Sequence, residues 1–170
     1  MTDTIYKMTD QEMRTHGGYQ WELGKPHQTK ERGPELCKSG WLHSYTSIEL
    51  AVFLNPIHAD LPNPRGFVGR GGGQTLDDRG LKRGYSWMVL DREIDVPEPT
   101  PLQVVYFGIA CAQAVSTNPD WQWAADWISG KDRSASAAWS AESAARSAAR
   151  SAERSADLNA LAKQALEWEE

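Results

Sequence analysis

Hydrophobic and polar residues alternate in several short segments of the chain, as they do in half-buried β-strands. Glycines bracket the segment 17–24, in which Tyr19, Trp21 and Leu23 would share one face of a strand. The strongest strand pattern covers 85–94, and a proline-rich stretch ends it. Two shorter segments complete the predicted strands, 5–8 and 40–45.

Helical spacing and helix-terminal residues predict three helices in the first 130 residues. Thr46 or Ser47 caps the first, 48–54, which ends at Asn55 because the residue before Pro56 is disfavoured in the α region. In each of the other two, a polar residue followed by proline marks the start. These two helices are predicted at 102–115 and 119–130.

Glycines interrupt the segment that precedes the strongest strand. Phe67 and Val68 begin a strand that the glycines within 69–73 break, so the sequence predicts a mobile hairpin loop. The segment lacks the Lys-Ser/Thr of a phosphate-binding P-loop. Asp77 and Asp78 dilute its charge, and ordinary solvation is one explanation of its basic residues. A surface for phosphate or for an acidic protein is the other, formed by Arg65, Arg70, Arg79, Lys82 and Arg83.

Alanine and serine dominate the chain after Arg133, and Ser-Ala pairs recur every three or four residues from Ser136 to Ser155. That spacing places small side chains on one stripe of a helix, and alanine is the best helix former. A continuous helix over 133–168 would be ~55 Å long. We therefore predict an α+β domain, 1–130, with a small mixed or antiparallel sheet and two or three packed helices, followed by a long Ala/Ser-rich helical arm, 131–170.

The composition excludes several classes of protein. The 170 residues are 40% hydrophobic, but no apolar run reaches the ~18 residues of a membrane span. The polar, acidic N-terminus is unlike a secretory signal, and Cys37 and Cys111 are too few for a disulfide scaffold. These features predict a reduced, cytoplasmic protein. A net charge of −5 makes direct binding of nucleic acid through bulk charge unfavourable.

No recognisable catalytic or metal-binding motif occurs in the sequence. Cys37, His43 and His58 are close along the chain, but their spacing is not that of a zinc site. The Gly-x-Ser-x-Gly elbow of a hydrolase is absent. Asp91 and Glu93 alternate along a predicted strand, as solvent-facing carboxylates do. We therefore assign no catalytic residue, metal or cofactor, and expect a protein that binds rather than catalyses.

Several motifs of the chain are shared with a known group of proteins. They lie at 17–21, 36–45, 50–59 and 78–84, and include Gly-Trp-Leu-His at 40–43. Together with the Ala/Ser-rich end, they resemble a family of small uncharacterised phage and prophage proteins. The resemblance implies a phage or prophage setting without a particular activity. Members of that family have a longer regular strand where this chain has its glycine-rich segment.

The strand predicted at 40–45 and the helix that follows it, up to Leu54, are also similar to the segment that lines the NAD pocket of ADP-ribosyltransferase folds. The similarity implies pocket residues at His43 and Tyr45. The early Arg or His and the late catalytic Glu of that fold have no match in this sequence. Their absence puts the transferase activity in doubt.

The phage setting and the lack of catalytic motifs predict a non-catalytic inhibitor of a host defence system, such as an anti-CRISPR protein, that acts by protein–protein contact. Its partner would be a host protein or ribonucleoprotein complex in the cytoplasm of the infected bacterium. Trp and Arg are enriched at interface hot spots. The candidate partner-binding residues are Trp139, Arg146, Arg150, Arg154 and Trp168.

Other interpretations explain the same sequence. The arm can pack on its own domain or form a homodimer with a second copy of the chain. An ADP-ribosyltransferase-like enzyme that uses NAD and a self-assembling virion protein are two alternative functions. A protein that sequesters a nucleotide signal at the basic loop is a third.

Overall fold

The computed structural model describes residues 2–29, 33–36, 40–78, 80, 82–115, 122–134, 139 and 157–169. The protein has the predicted α+β class, with an antiparallel sheet and several helices. It divides into two compact units, Met1–Glu98 and Pro99–Glu170, whereas the sequence placed a boundary at residue 130. The helices predicted at 102–115 and 119–130 thus belong with the C-terminal part of the chain, after a proline-rich stretch that ends the sheet.

Among the described residues, all strands belong to the first unit. Its elements are β1 (Thr2–Thr9), β2 (Arg14–Thr15), β3 (Tyr19–Gln20), β4 (His27–Gln28), β5 (Leu42–Ser44), α1 (Ile48–His58), β6 (Arg65–Asp77) and β7 (Arg83–Ile94). The main element is a five-stranded antiparallel sheet of order β1-β6-β7-β4, in which β5 pairs with another part of β7. A separate two-stranded ribbon is formed by β2 and β3. The strands predicted at 5–8, 40–45 and 85–94 are confirmed.

One bridged residue pair connects the β1 edge of the sheet to the chain at the end of β5. Tyr6 on β1 bridges to Tyr45, directly after β5, with backbone N–H···O distances of 3.0 and 2.8 Å. Because β5 also pairs with β7, the strands β1, β6, β7 and β5 form a ring. The side chains of the hydrophobic core pack together in this unit, and they are Ile5, Trp21, Leu42, Phe67, Tyr85, Met88 and Leu90.

The glycine-rich segment is a thirteen-residue strand, so the prediction of a mobile loop after Val68 was wrong. It pairs with β7 along most of its length, with register shifts at Val68/Gly69 and Gly72/Thr75. The aromatic rings of β7 explain two of the glycines. A Cβ at Gly71 would lie 2.8 Å from the ring of Tyr85, and one at Gly72 would lie 2.6 Å from the indole of Trp87. These glycines therefore let aromatic side chains lie flat against the neighbouring strand.

Helix α1 begins as predicted but continues past its predicted end. Ser47 caps it, accepting a hydrogen bond from the Leu50 N–H at 3.1 Å. Pro56 lies inside the helix, where it forfeits one backbone hydrogen bond but does not stop the chain. The helix ends after His58, because the N–H groups of the next two residues both donate to the Asn55 carbonyl.

The strand predicted at 17–24 is mostly absent. Residues His16–Gly18 form a 3-10 turn in which both glycines have positive φ, 72° and 75°, and only β3 follows it. Trp21 is buried, whereas Tyr19 is 41% and Leu23 53% exposed, so the three do not share a buried face. The turn redirects the chain, which a pattern of alternating residues alone could not reveal.

The second unit contains α2 (Pro101–Val115), α3 (Gln122–Ile128) and α4 (Leu158–Glu167). Thr100 and Gln103 cap α2 reciprocally, each side chain accepting from the other's backbone N–H. Helices α2 and α4 pack together, and Gln103 Nε2 donates to the Leu166 carbonyl at 2.8 Å. None of the helices among the described residues combines the length and apolar character that a membrane span requires.

The C-terminal helix is short, which corrects the prediction of one long helix over 133–168. Asp157 has an extended backbone, with φ −76° and ψ 90°, so no helix runs through it. Its carboxylate accepts a hydrogen bond from the Ala160 N–H at 3.2 Å and thereby starts α4 as a new helix. Of the preceding Ser-Ala repeat, the structure describes only Trp139.

Candidate functional site

A cavity of about 600 Å³ lies in the first unit, a size typical of pockets that bind small molecules. Its wall is built by the end of β1, by the ribbon of β2 and β3, by β5, and by the C-terminal end of α1. The lining residues are Lys7, Met8, Thr15, His16, Tyr19, Trp21, Thr29, Gly40, Trp41, Leu42, His43, Ser44, Tyr45, His58, Ala59, Leu61 and Lys82.

The ionisable side chains of this lining are basic. Lys7 and Lys82 supply two ammonium groups, and His16, His43 and His58 supply three imidazoles. No aspartate or glutamate occurs among the described residues that line the cavity. The carboxylate of Asp78, which is not part of the lining, has an electrostatic effect on His43 and His58. The lining therefore favours a negatively charged occupant.

Two contacts position the ammonium group of Lys7. Its Nζ donates a hydrogen bond to the His43 carbonyl at 2.6 Å and lies 5.1 Å from the centre of the Trp21 ring. Burial, and secondarily the positive charge of Lys82, lowers the pKa of Lys7 to about 8. The ammonium thus has polar and aromatic neighbours but no carboxylate on the cavity wall.

Tyr45 and His58 form a stacked, hydrogen-bonded pair on the same wall. Their rings lie 10° from parallel with centres 5.9 Å apart, and the Tyr45 hydroxyl is 3.0 Å from His58 Nδ1. Burial raises the pKa of Tyr45 well above its usual value. Burial, followed by the charge of Lys82, lowers the pKa of His58 to about 4. Near neutral pH the pair is therefore an uncharged phenol beside an uncharged imidazole.

A second tyrosine–histidine pair, Tyr19 with His27, positions another part of the lining. The Glu22 N–H donates to His27 Nε2 at 3.2 Å, so the proton of this neutral ring is on Nδ1. That Nδ1–H donates to the Tyr19 oxygen at 3.1 Å, which leaves the Tyr19 hydroxyl proton to be donated elsewhere. Trp21 is held beside them by a hydrogen bond from Nε1 to the Thr15 hydroxyl at 3.0 Å. Tyr19 can therefore offer a donor to a ligand.

Two hydroxyl groups on the lining have no hydrogen-bond partner among the described residues. They are those of Thr29 and Ser44, and both oxygens are buried. Ser44 as a whole is only 2% exposed. A buried hydroxyl without a partner is costly, so a polar group of a bound molecule would stabilise both.

His43 and Tyr45, the residues implied by the similarity to NAD pockets, both line this cavity. Trp41 lines it too, and its Nε1 donates to the Gly33 carbonyl at 2.9 Å. Sequence reasoning missed Lys7, Ser44 and the aromatic wall of Tyr19 and Trp21. One signal was available for Lys7, because it is the one charged residue in the otherwise apolar segment 5–8 that the sequence predicted as a strand.

The described basic residues of the predicted loop have different partners and lie on different elements. Arg65 and Arg70 lie on β6 and make two-pronged ion pairs with Glu93 and Asp91, respectively. Arg83 bridges Asp3 and Asp77, and Lys82 lines the cavity. Arg79 lies outside the described residues. The prediction of a single flexible basic loop is therefore wrong in its geometry, although binding by these residues stays a prediction.

The predicted partner-binding residues of the arm have different environments. Trp168 stacks on Tyr106 and Trp127, with ring centres 5.1 and 5.9 Å apart. Trp139 is 73% exposed. Arg146, Arg150 and Arg154 lie outside the part of the chain that the structure describes. Trp168 thus has the intramolecular packing that the sequence left open, and Trp139 has a surface position.

No family model, curated protein or solved structure matches this chain. The resemblances to phage proteins and to ADP-ribosyltransferase folds stay predictions. Among the described residues, no cluster of histidine, cysteine, aspartate and glutamate has the geometry to hold a metal ion. The function must therefore be inferred from the chemistry of the cavity and of the exposed side chains.

Proposed function

We propose that the first unit binds a small anionic molecule that carries an aromatic ring, with a nucleotide as the representative class. The observation that supports this most strongly is the position of Lys7. Its ammonium lies on the cavity wall, and the described lining offers no carboxylate to neutralise it. An anion bound there would supply the missing opposite charge.

The electrostatics of the cavity favour such an occupant. Removing an ammonium from water without a counter-ion is costly, and the lowered pKa of Lys7 is a sign of that cost. A phosphate group beside Lys7 and Lys82 would offset it through charge-assisted hydrogen bonds. Binding would also raise the pKa of Lys7, so complex formation above pH 8 would take up a proton.

Aromatic side chains support the second part of the proposal. Trp41 and Tyr45, which are half-buried, and Tyr19 all line the cavity. A planar base between such rings gains stacking contacts in addition to the burial of its surface. The unpartnered hydroxyls of Ser44 and Thr29 provide hydrogen-bonding sites for its polar edges.

Binding is favoured over ADP-ribosyl transfer by the composition of the described lining. That reaction develops positive charge on the ribose ring, which an enzyme stabilises with a nearby carboxylate. The described lining instead carries two lysines and three histidines. We therefore propose a protein that sequesters or senses its ligand, which was one of the alternatives drawn from the sequence, but at this cavity rather than at the basic loop.

Isothermal titration calorimetry with three probes tests the proposal. AMP contains both the anion and the ring, adenosine lacks the anion, and inorganic phosphate lacks the ring. We expect AMP to bind more tightly than either fragment. Lys7→Met should weaken AMP binding by about tenfold or more, because a hydrogen bond to a charged group is lost. Lys163→Met is the matched control, because Lys163 lies on α4 in the other unit. Equal affinities for the three probes, or no binding of any probe at millimolar concentration, would overturn the proposal.

A second candidate function is supported by Trp139. This large aromatic side chain is 73% exposed, and exposed tryptophan is a frequent anchor of protein interfaces. We propose it as the contact through which the chain would inhibit a host defence system. Bacteria with an active CRISPR system, expressing the chain, would then plate a targeted phage efficiently. Trp139→Ala should abolish that protection and Lys7→Met should not, whereas the reverse pattern would favour a sequestered small molecule.

A further inference from the structure

We propose that Lys7 is a nucleophilic amine that condenses with the carbonyl group of an anionic aldehyde or ketone, so that the cavity holds its ligand as an imine. This inference rests on the cavity of the proposed function and adds a covalent step to it. It names a reactive group and a substrate class, whereas the proposed function requires only reversible contacts.

The first argument is the place of Lys7 in the ring of strands. Tyr6 and Tyr45 form a hydrogen-bonded antiparallel pair, so Lys7 and Ser44 are the next residues to face each other across it. Directly opposed residues of such a pair project to the same face. The Tyr6–Tyr45 bridge is isolated, and beyond it the His43 carbonyl accepts a hydrogen bond from Lys7 Nζ. The amine thus lies next to the end of the backbone pairing between these two segments.

The second argument is the protonation state of the amine. An amine attacks a carbonyl only when it is neutral, and an ion pair with a carboxylate would keep it charged. The described cavity lining offers no such carboxylate. With a pKa of about 8, a substantial fraction of Lys7 is neutral near physiological pH, which is rare for a lysine. The titratable groups around it are Lys82, His43 and His58, with Asp78 beside the two histidines, and the pKa values of both histidines are lowered by burial.

The chemistry balances without an oxidant or a reductant. The Nζ lone pair forms a bond to the carbonyl carbon, and the carbonyl π electrons move to oxygen, which takes a proton to give a carbinolamine. Loss of that hydroxyl group as water, together with the remaining N–H proton, leaves a C=N double bond. The Ser44 hydroxyl, which has no partner among the described residues, lines the same cavity as Lys7 and would be available to hydrogen-bond the carbinolamine oxygen. Hydrolysis reverses the step.

The lining also selects the carbonyl compound. The cavity that Lys7 lines is also lined by Lys82 and Tyr19. A negative charge on the ligand, placed near Lys82, would remain favourable after Lys7 has lost its own charge in the imine. Small neutral aldehydes lack this contact and should react more slowly.

Reductive trapping with pyridoxal phosphate tests the inference on the full chain. This probe combines an aldehyde, an aromatic ring and a phosphate group, and borohydride converts its imine into a stable secondary amine that peptide mass spectrometry locates. At pH 7.5 we expect Lys7 to be labelled about tenfold faster than Lys25 or Lys163, after allowance for the weaker nucleophilicity of a less basic amine. The rate of labelling of Lys7 should be half-maximal near pH 8.

Two matched experiments distinguish a reactive site from a merely accessible one. Pyridoxal, which lacks the phosphate group, should label Lys7 more slowly, and its labelling of Lys163 should be unchanged. Lys82→Met should move the pH midpoint of Lys7 upward, because the charge of Lys82 lowers that pKa. Equal labelling of all three lysines, or a Lys7 profile that rises only above pH 10, would overturn the inference.

Calorimetry of the unsubstituted chain with AMP distinguishes this failure from that of the proposed function. AMP carries no aldehyde or ketone group, so its binding tests the proposed function without the covalent step. Selective trapping on Lys7 without AMP binding would support the amine and contradict the nucleotide class. AMP binding without selective trapping would support the proposed function alone.

Discussion

Gly69 on β6 and Val89 on β7 approach so closely that a Cβ at position 69 would lie 2.0 Å from the Val89 carbonyl oxygen. The obstacle is backbone, which cannot turn aside as the end of a side chain can. This contact follows the register shift between Val68 and Gly69, where the strand bends. The pairing of the long strands β6 and β7 therefore requires glycine at position 69.

The first prediction concerns this contact. Gly69→Ala should destabilise the protein by about 2 kcal/mol or more, because the backbone must shift to admit the methyl group. Gln74→Ala, an exposed position on the same strand, should change the stability by less than about 0.5 kcal/mol. Urea denaturation followed by tryptophan fluorescence measures both. Equal stability of the two variants would show that the strands can separate locally without cost.

Ser44 gives a prediction with opposite signs for stability and binding. Its buried hydroxyl has no partner within the described residues, so Ser44→Ala should leave the free protein as stable or raise its stability by up to about 1 kcal/mol. The same change should weaken AMP binding by about threefold to tenfold, because a hydrogen bond to the ligand is lost. Thermal denaturation with and without AMP measures both effects. A clear loss of stability in the free variant would mean that the hydroxyl is already satisfied.

How much of the fold could be predicted from the sequence depends on how far apart along the chain the interacting residues lie. Local signals were sufficient for β7, for the Ser47 cap of α1 and for the start of α2 after Thr100. They failed at β6, because its glycines were interpreted as breaks, whereas they fit against Tyr85 and Trp87 on another strand. They failed again at the C-terminal helix, since the Asp157 cap lies inside a run that composition alone makes helical.

In the candidate site, too, residues within one segment could be predicted and contacts between distant segments could not. His43 and Tyr45 were selected from one strand, and they do line the cavity. Lys7 could not be connected to them, because the contact between β1 and β5 spans 36 residues and depends on a single bridge between tyrosines. Pairings over such distances leave no periodic trace in either segment.

The pH dependence of stability should carry a contribution from His58. Burial and Lys82 lower its pKa to about 4 in the folded protein, whereas an unfolded histidine titrates near 6.5. Between these values the unfolded chain binds more protons, so the free energy of unfolding should fall as the pH is lowered from about 7 to 4. His58→Gln should reduce this fall, because glutamine does not titrate. Denaturant titrations at pH 7 and pH 5 measure it, and an identical slope in both proteins would contradict the assignment.

The two tryptophans near the C-terminus should respond in contrasting ways to the same substitution. Trp168 stacks on Tyr106 and Trp127. The Arg133 guanidinium lies 5.4 Å from the ring centre of Trp127 and 5.4 Å from that of Trp168. Trp168→Ala should therefore destabilise the second unit by about 2 kcal/mol, through lost burial and lost aromatic contacts.

Trp139→Ala is the matched control for that experiment, because the side chain is 73% exposed. Its stability should equal that of the unsubstituted chain, since substitutions at exposed positions usually change the free energy of unfolding by less than about 0.5 kcal/mol. Circular dichroism during thermal unfolding compares the two variants directly. A destabilised Trp139→Ala would place this residue in the packing of the chain and remove it as a contact for a partner, whereas a stable one would leave its exposed ring without a structural role.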